Sequence, residues 1–410
     1  MAGFVEEVTP ISECLDRVTE ALRFPWTVSA KTLPLSEAVS LRAARTIRSE
    51  ENNPPFTRSL RDGYAVDHRF TTGASSGAPV FLRMAGEIFM GAKPVFSLGA
   101  EEVASIPTGG MMPDGADAVV MLEDTADAGK WIEVRKAVQR GENIVVSGED
   151  IAVGDVVASR GDTIDCALPG MLSTLGFTEI DVIDLRIAVI STGDEIVSAG
   201  TSPLPLGFVR DANTDIVRST LRQYGFSSRS YGIVSDHVET LKERVTEALS
   251  WCDVLLLSGG SSVGVRDHTT ETIQALRDPG LLIRGINMLP GKPTLIGGSA
   301  EDKKIVVGLP GHPTSCMVAC LFVVLPLLLR MVGAKRDAVG RYIRMPLEQD
   351  VQGRTGPDEF IPMRLESGGA RPLAAKSGYV SAMRDADGFI RMTPDVETLR
   401  QGEEALLWLW

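Results

Sequence analysis

Residues 187–195 of the chain, IAVISTGDE, place an apolar run directly before a short polar loop that contains a glycine. The same order returns at residues 254–264, VLLLSGGSSVG, and at residues 305–313, IVVGLPGHP. Helical patterns cover residues 216–224, 238–251 and 315–329. Strand, loop and helix in alternation are typical of a parallel sheet with right-handed helical crossovers. The sequence therefore predicts a central three-layer α/β domain with a mostly parallel sheet.

The rest of the chain predicts an N-terminal helix and two β domains. Ile11, Leu15, Val18 and Leu22 recur at helical spacing and form one apolar face. Short apolar runs separated by Gly, Pro and Asp predict a β-rich domain inserted near the N-terminus, and the turn-rich C-terminal part predicts a small β domain. We therefore expect a multidomain α/β plus β protein. The expected domains are an elongated, discontinuous linker domain (1–52 and 148–185), the inserted β domain (53–147), the α/β domain (186–334) and the C-terminal β domain (335–410).

The composition is that of a folded globular protein. Of 410 residues, 44% are hydrophobic and 23% are charged, and 54 acidic against 41 basic side chains give a net charge of −13. These values exclude a disordered, collagen-like or disulfide-scaffold chain. No basic block is present to neutralise a nucleic-acid backbone, so we expect no nucleic-acid partner. A local anion site built from backbone N–H groups remains compatible with this charge.

Cysteine spacing and hydropathy predict a cytoplasmic protein. The cysteines form no CxxC pair, which argues against a zinc site or disulfide framework and fits a reducing compartment. No basic segment precedes an apolar one at the N-terminus, so no signal peptide is expected. The longest apolar run, 316–329, contains Pro326 and is shorter than the roughly 18–20 residues of a spanning helix. We expect it to be a buried helix, with Cys316 and Cys320 as core thiols and no membrane span.

The loops that follow the predicted strands have the composition of a phosphate site. Ligands of open parallel sheets bind beyond the carboxyl ends of the strands. Glycines there allow close backbone approach, and backbone N–H groups and hydroxyls can surround an anion. A tight turn is the alternative for any one of these loops, and neither GxxxxGK[ST] nor GxGxxG is present. The residues expected to hold the ligand are Thr192, Gly193, Asp194, Gly259, Gly260, Ser261, Ser262, Gly264, Pro310, Gly311, His312 and Pro313.

Acidic residues beside these loops point to a divalent cation. Asp194, Glu195, Asp236 and Asp267 would repel a phosphate unless a cation such as Mg²⁺ lay between them. The alternative for an Asp after a strand is a helix cap, and Asp194 is the strongest candidate for that role. Lys292, stiffened by Pro290 and Pro293, is an anion contact or a solvated lysine. The polar segments 61–64, 107–110 and 148–150 of the β domain are interpreted first as turns.

Taken in order, these motifs resemble the molybdopterin molybdenumtransferase family, the bacterial molybdenum-insertion enzymes related to the E domain of gephyrin. The matching motifs are SLRDGYAV (59–66), TGGMMPDGADAVV (108–120), GENIVVSGEDI (141–151), STGDE (191–195), residues 259–267, PGKP (290–293) and LPGHP (309–313). The resemblance implies binding of adenylylated molybdopterin, Mg²⁺-dependent cleavage of its pyrophosphate and insertion of molybdate into the dithiolene with release of AMP.

The resemblance also implies roles for individual residues. The catalytic set is Asp62, Asp150, Glu195, Asp236 and Asp267, with Asp267 and Glu195 as ligands of Mg²⁺. Thr108 joins the substrate-binding residues, and the molybdate site consists of Lys292, Pro293, Arg364 and Ser377. The family fold implies an elongated homodimer, with each site between the sheet domain of one subunit and the β domain of the other. The molybdopterin-adenylylating enzyme and apo-molybdoenzymes or their chaperones are the partners implied.

Three residues depart from the family pattern and keep other functions open. Arg61 replaces a usual Met, His312 a usual Asn, and Leu289 a usual Lys before Pro-Gly-Lys. Loss of that cation leaves room for a paralogue that inserts tungstate. A molybdopterin adenylyltransferase is a second alternative, because the sheet domain alone also resembles that enzyme. A non-catalytic cofactor carrier or scaffold is the third.

Overall fold

The computed structural model describes residues 8–259, 263–335, 340–374 and 378–410, without the side chains of residues 263–268. The chain divides into two compact units. The first runs to Arg45 and continues over Ser159–Pro169 and Glu179–Trp410, and the second comprises Thr46–Ala158 and Gly170–Thr178. This division is coarser than the four domains expected from the sequence, whose boundaries stay a prediction.

The helices of the described residues are α1 (Ile11–Ala21), α2 (Ala167–Thr174), α3 (Asn213–Gln223), α4 (Val238–Trp251), α5 (Val263–Gln274), α6 (Pro313–Ala319), α7 (Leu325–Val332) and α8 (Val380–Asp385). The strands up to the central sheet are β1 (Ala30–Pro34), β2 (Ile47–Arg48), β3 (Arg58–Ser59), β4 (Gly63–Val66), β5 (Val80–Glu87), β6 (Glu102–Ile106), β7 (Ala118–Met121), β8 (Thr125–Asp127), β9 (Trp131–Val134), β10 (Ile144–Val145), β11 (Val156–Ala158) and β12 (Glu179–Ile183).

The remaining strands are β13 (Ile187–Thr192), β14 (Ile196–Val197), β15 (Val209–Arg210), β16 (Ser228–Val234), β17 (Val254–Gly259), β18 (Pro279–Ile283), β19 (Met288–Leu289), β20 (Leu295–Ser299), β21 (Lys304–Leu309), β22 (Arg341–Pro346), β23 (Val351–Gln352), β24 (Asp358–Glu366), β25 (Gly369–Pro372), β26 (Gly388–Met392), β27 (Thr398–Leu399) and β28 (Glu404–Leu409).

The central sheet of the first unit confirms the predicted α/β domain. Its strand order is β16-β13-β17-β21-β20-β18. Strands β16, β13, β17 and β21 pair in parallel, whereas β20 and β18 join antiparallel at one edge. Every residue of β13 is buried, which explains why this strand is a continuous apolar run rather than an alternating one.

The apolar helix after β21 is longer than the sequence indicated. It runs from Pro313 to Val332, a length and composition compatible with a membrane span, but 83% of its most apolar stretch is buried inside the protein. The expected run of 316–329 was too short because the helix also includes Pro313, Thr314 and Ser315 at its start and continues through Arg330 to Val332. A π-helical turn, Cys320–Val324, precedes α7, and Pro326 falls in the first turn of α7, where its missing N–H is tolerated. The expectation of a buried helix is confirmed.

The second unit and the C-terminal part are β structures, as expected. The second unit contains a six-stranded sheet in the order β7-β4-β6-β5-β9-β8, around buried Val66, Leu82 and Ile132. In the first unit, the C-terminal sheet has the order β19-β24-β26-β28-β22. It packs on the apolar helix through Phe322, whose ring lies 4.1 Å from that of Phe360. Helix α8 was not predicted, because its six residues are too few to show a helical period.

Candidate active site

The loops after β13 and β16 are joined by hydrogen bonds at the carboxyl edge of the sheet. The backbone N–H of Asp236 donates to Asp194 Oδ1 at 3.0 Å, and that of Gly193 donates to the Val234 carbonyl at 3.2 Å. Asp194 therefore holds the neighbouring loop, and among the described residues its carboxylate accepts no hydrogen bond from the start of a helix. The start of α3 is capped instead by Asp211, which accepts from the backbone N–H of Thr214 at 3.1 Å.

Two glycines lie in close contact with their neighbours at this edge of the sheet. Gly259 has φ +119°, and a β-carbon built on it would lie 2.1 Å from the carbonyl oxygen of buried Thr192. A β-carbon on Gly193 would lie 2.9 Å from Glu195 Oε2. No side chain fits at the first position without displacing the backbone of β13. The Glu195 carboxylate thus lies directly against the loop that the sequence assigned to phosphate binding.

The third loop leads from β21 into the long apolar helix. His312 precedes that helix with an extended backbone, and Pro313 begins it. Asn213 at the start of α3 donates from Nδ2 to the Gly311 carbonyl at 2.8 Å. Sequence reasoning missed Asp211 and Asn213, although polar residues just before the helical pattern at 216–224 were a signal for them.

The Lys292 loop arrives at the same edge because β20 is antiparallel to its neighbour. Leu295 pairs with Gly308, so the amino end of β20 lies beside the carboxyl end of β21. Just before that strand, Thr294 donates from both its N–H and its hydroxyl to the Gly291 carbonyl. Lys292 and Pro293, inside this turn, are half-buried. The structure therefore brings the predicted cation to the predicted phosphate loops.

One part of the C-terminal domain contacts the loop after β21, whereas another part lies farther along its sheet. A β-carbon on Gly378 would lie 3.7 Å from His312 Cδ2, and Thr314 donates from its hydroxyl to the Tyr379 carbonyl at 3.3 Å. Ser377 lies outside the described residues. Arg364 is exposed on β24, five residues beyond Glu359, the partner of Leu289. At roughly 3.3 Å per residue, Arg364 lies about 17 Å along β24 from Glu359.

Several predicted residues fall where the structure gives no side chain. Gly260, Ser261 and Ser262 lie outside the described residues. Gly264 and Asp267 lie in helix α5, in the part where the structure describes only the backbone. The role of Asp267 as a metal ligand stays a prediction.

In the second unit, the structure brings Asp62 and Thr108 together. The backbone N–H of Thr108 donates to Asp62 Oδ1 at 2.7 Å, and both residues are exposed. Asp150, also exposed, accepts from Asn53 Nδ2 at 2.7 Å. The expected turns are present at 107–110 and 148–150, whereas the expectation for 61–64 is wrong in its second half, because Gly63 and Tyr64 begin strand β4. The hydrogen bond from Thr108 fixes the orientation of the Asp62 carboxylate.

A cluster that sequence reasoning did not single out lies elsewhere in the second unit. Among the described residues, ligand atoms of Asp67, His68 and Asp117 lie within 4.8 Å of one another. Arg69 donates to both Asp67 carboxylate oxygens, and His68 Nδ1 lies 2.7 Å from Asp117 Oδ2. The hydrogen bonds from Arg69 hold the pKa of the Asp67 carboxyl below its usual range. These internal partners make the cluster an ion-pair network rather than an open metal site.

A cavity of about 1,230 Å³ lies in the first unit, away from the loops. Its lining includes Ser40, Arg218, Arg222 and Ser228. Ser228 is the first residue of β16, so this cavity opens at the amino end of that strand, opposite the edge where ligands of such sheets bind. The loops at the carboxyl edge are therefore the stronger candidate.

Family models match the chain in three consecutive parts. The MoeA N-terminal region (domain I and II) matches residues 9–176, a model described as "Probable molybdopterin binding domain" matches 188–330, and the MoeA C-terminal region (domain IV) matches 344–410.

Similar proteins and structures cover nearly the whole chain. A molybdopterin biosynthesis protein of Methanocaldococcus jannaschii is 32% identical over 383 residues, which are 91% of this chain and 90% of that protein. The molybdopterin molybdenumtransferase of Staphylococcus epidermidis is 30% identical over 97% of this chain and 95% of its own. The crystal structure of a molybdopterin biosynthesis MoeA protein from Pyrococcus horikoshii OT3 matches with a TM-score of 0.85 and 27% identity, over 98% of this chain and 100% of that one. The chain therefore belongs to the MoeA family of molybdopterin molybdenumtransferases, a transferase family of molybdenum cofactor biosynthesis.

Proposed function

We propose that this protein binds adenylylated molybdopterin, cleaves its pyrophosphate with the help of Mg²⁺, and inserts molybdate into the dithiolene while AMP is released. The observation that carries the proposal is the meeting of the glycine-containing loops, the Glu195 carboxylate and the Lys292 turn at one edge of the central sheet. A pyrophosphate needs donors and a cation, and an inserted oxyanion needs a positive charge nearby.

Different groups of the chain bind the phosphates and the molybdate. Backbone N–H groups of the loops and of the helix that begins at Pro313 bind phosphate oxygens, because the first N–H groups of a helix have no partner within it. Lys292 attracts the molybdate oxyanion. A water oxygen forms a new bond to phosphorus as the bridging P–O bond of the pyrophosphate breaks, so that AMP leaves and the other phosphate stays on the molybdopterin. Glycine at positions 193 and 259 allows the close packing of the end of β17 against Thr192 and of Glu195 and Ile196 against their own loop.

The carboxylates at this edge fit a Mg²⁺ ion. Asp194 is engaged with the loop of Asp236, while the exposed Glu195 carboxylate lies at the loop surface. Mg²⁺ is usually held by one or two carboxylates together with substrate phosphate oxygens. We assign Glu195 and Asp267 to this role. Neutralisation of charge on the phosphoryl oxygens is the chemistry that such an ion supplies when bound.

We further propose that the active form is a cytoplasmic homodimer. In it, Asp62, Thr108 and Asp150 of one subunit complete the site formed by the sheet loops of the other. The support is the membership of the family together with the fixed Asp62–Thr108 pair. The partners proposed are the enzyme that adenylylates molybdopterin and the apo-molybdoenzymes or chaperones that accept the cofactor, with no nucleic-acid or membrane partner.

Tungstate remains a second candidate oxyanion. Leu289 stands at a position where the family has a lysine, and it is half-buried in β19, in register with Glu359 of β24. One cation fewer beside Lys292 lowers the local positive charge. Molybdate and tungstate carry the same charge, so the missing lysine weakens the attraction of both and does not by itself select one.

The proposal is tested by AMP release from adenylylated molybdopterin with Mg²⁺ and either molybdate or tungstate. We expect oxyanion-dependent release, and about a 10–100-fold loss in Lys292→Ala, the value of a hydrogen bond to a charged group. Lys242→Ala, which removes an exposed lysine of α4, should act like the unaltered protein. Consumption of ATP with unadenylylated molybdopterin, and no AMP release, would instead identify an adenylyltransferase. No turnover in either assay would favour a carrier.

A further inference from the structure

Two polar atoms at the carboxyl edge are buried without a hydrogen-bond partner among the described residues. They are Asn213 Oδ1 and Ser258 Oγ. Asn213 is 7% exposed and Ser258 is fully buried. Ser258 lies at the end of β17, in register with Ser191 of β13 and Leu309 of β21. Buried polar atoms are nearly always paired, so atoms that the described residues leave unpaired at a ligand-binding edge have room for a further partner, which a bound ligand can supply.

The orientation of the Asn213 amide follows from its neighbour. A backbone carbonyl can only accept a hydrogen bond, so the amide nitrogen must face the Gly311 oxygen at 2.8 Å and Oδ1 must face away from it. The start of α3 does not use Oδ1, because Asp211 caps that turn through Thr214. Oδ1 is thus a fixed, neutral acceptor beside the Gly311 loop.

We propose that Asn213 Oδ1 accepts a hydrogen bond from the exocyclic amino group of a heterocycle in the substrate. The inference rests on the proposed function, whose substrate has two such groups, one on adenine and one on the pterin. Phosphate and molybdate oxygens are acceptors and gain nothing from a carbonyl oxygen. Asn213 therefore binds the organic part of the substrate, and through Nδ2 it links that contact to the Gly311 loop.

The test removes the amino group from the ligand and the acceptor from the protein. Calorimetric titration of the full chain compares AMP with purine riboside 5′-monophosphate, and 6-hydroxymethylpterin with the corresponding lumazine. We expect the unaltered protein to prefer one amino-bearing ligand by about tenfold, because a missing donor leaves the buried acceptor unpaired. A preference for AMP assigns the contact to adenine, and a preference for the pterin assigns it to the pterin.

Variants separate this contact from the structural link to Gly311. Asn213→Leu should lose the preference, whereas Asn213→Asp, which keeps an acceptor oxygen, should retain it. Asn287→Leu removes a similar amide bond, from Nδ2 to the Gly356 carbonyl at 2.7 Å, and should not affect the preference. Equal affinities for both ligands of each pair overturn the proposal even if Asn213→Leu does not fold. So does a preference that Asn213→Leu retains. AMP release by the unaltered protein tests the proposed function separately.

Discussion

Gly259→Ala is the sharpest test of how the site is built. The added β-carbon would meet the Thr192 carbonyl oxygen at 2.1 Å and Thr192 Oγ1 at 2.7 Å. Overpacking of this kind costs about 1–3 kcal/mol. The backbone at φ +119° adds about 1–2 kcal/mol of strain for a residue with a side chain. We therefore expect a loss of about 2–5 kcal/mol in the free energy of unfolding, together with slower AMP release.

Gly232→Ala is the matched control for the backbone strain alone. Gly232, in β16, has φ +84°, and none of the described atoms lies within 4 Å of its added β-carbon. Its expected loss is about 1–2 kcal/mol. The measurement is urea unfolding of both variants, followed by circular dichroism. The m-value, which is the slope of the unfolding free energy against urea concentration, must stay unchanged for the comparison to hold. Equal losses in the free energy of unfolding for the two variants would show that Thr192 moves aside at no cost. The close approach of β13 and β17 would then not shape the site.

Three further predictions concern other parts of the chain. The pKa of the Asp67 carboxyl is lower in the folded protein than in the unfolded chain, so its ionised form stabilises the fold above the unfolded-state pKa, and this stabilisation is lost as the pH falls through the folded-state pKa. Asp67→Asn should therefore lower Tm at neutral pH. A difference in Tm between the two proteins that stays the same in acid would contradict this. Burial raises the pKa of Cys320 to about 12 and of Cys252 to about 11, so at mildly alkaline pH a thiol reagent should label exposed Cys166 first, and rapid labelling of several thiols in the native protein would argue against the buried core. Co-expressed Asp62→Ala and Asp267→Ala subunits should form tagged heterodimers with about half the activity of the unaltered dimer, since one site would carry both lesions and the other neither; heterodimers as inactive as the parents would confine each site to one chain.

The sequence predicted those helices and strands that are determined by residues close together in the chain. The buried run of β13 and the periodic face of α1 follow from the order of apolar residues alone. Contacts between distant loops could not be predicted in this way. A helix cap was the alternative role for Asp194, because its partner, the backbone N–H of Asp236, lies 42 residues later in the loop after β16.

The same reason explains what was placed only after the fold was known. Lys292 was a candidate anion contact by composition, but its arrival at the phosphate loops depends on the antiparallel direction of β20. Asn213 was missed because its significance lies in a bond to Gly311, almost a hundred residues later. Pro326 suggested an interruption that the preceding π-helical turn removes.

The central claim is that the carboxyl edge of the central sheet binds the pyrophosphate of the substrate. The most direct measurement is a crystal structure of the protein with adenylylated molybdopterin bound in the absence of Mg²⁺, so that cleavage is slow. The account predicts the pyrophosphate within hydrogen-bond distance of backbone N–H groups in the loops after β13, β17 and β21, with Lys292 on the side of the dithiolene. A pyrophosphate bound instead in the cavity beside Arg218 and Arg222, at the other end of α3, would contradict it.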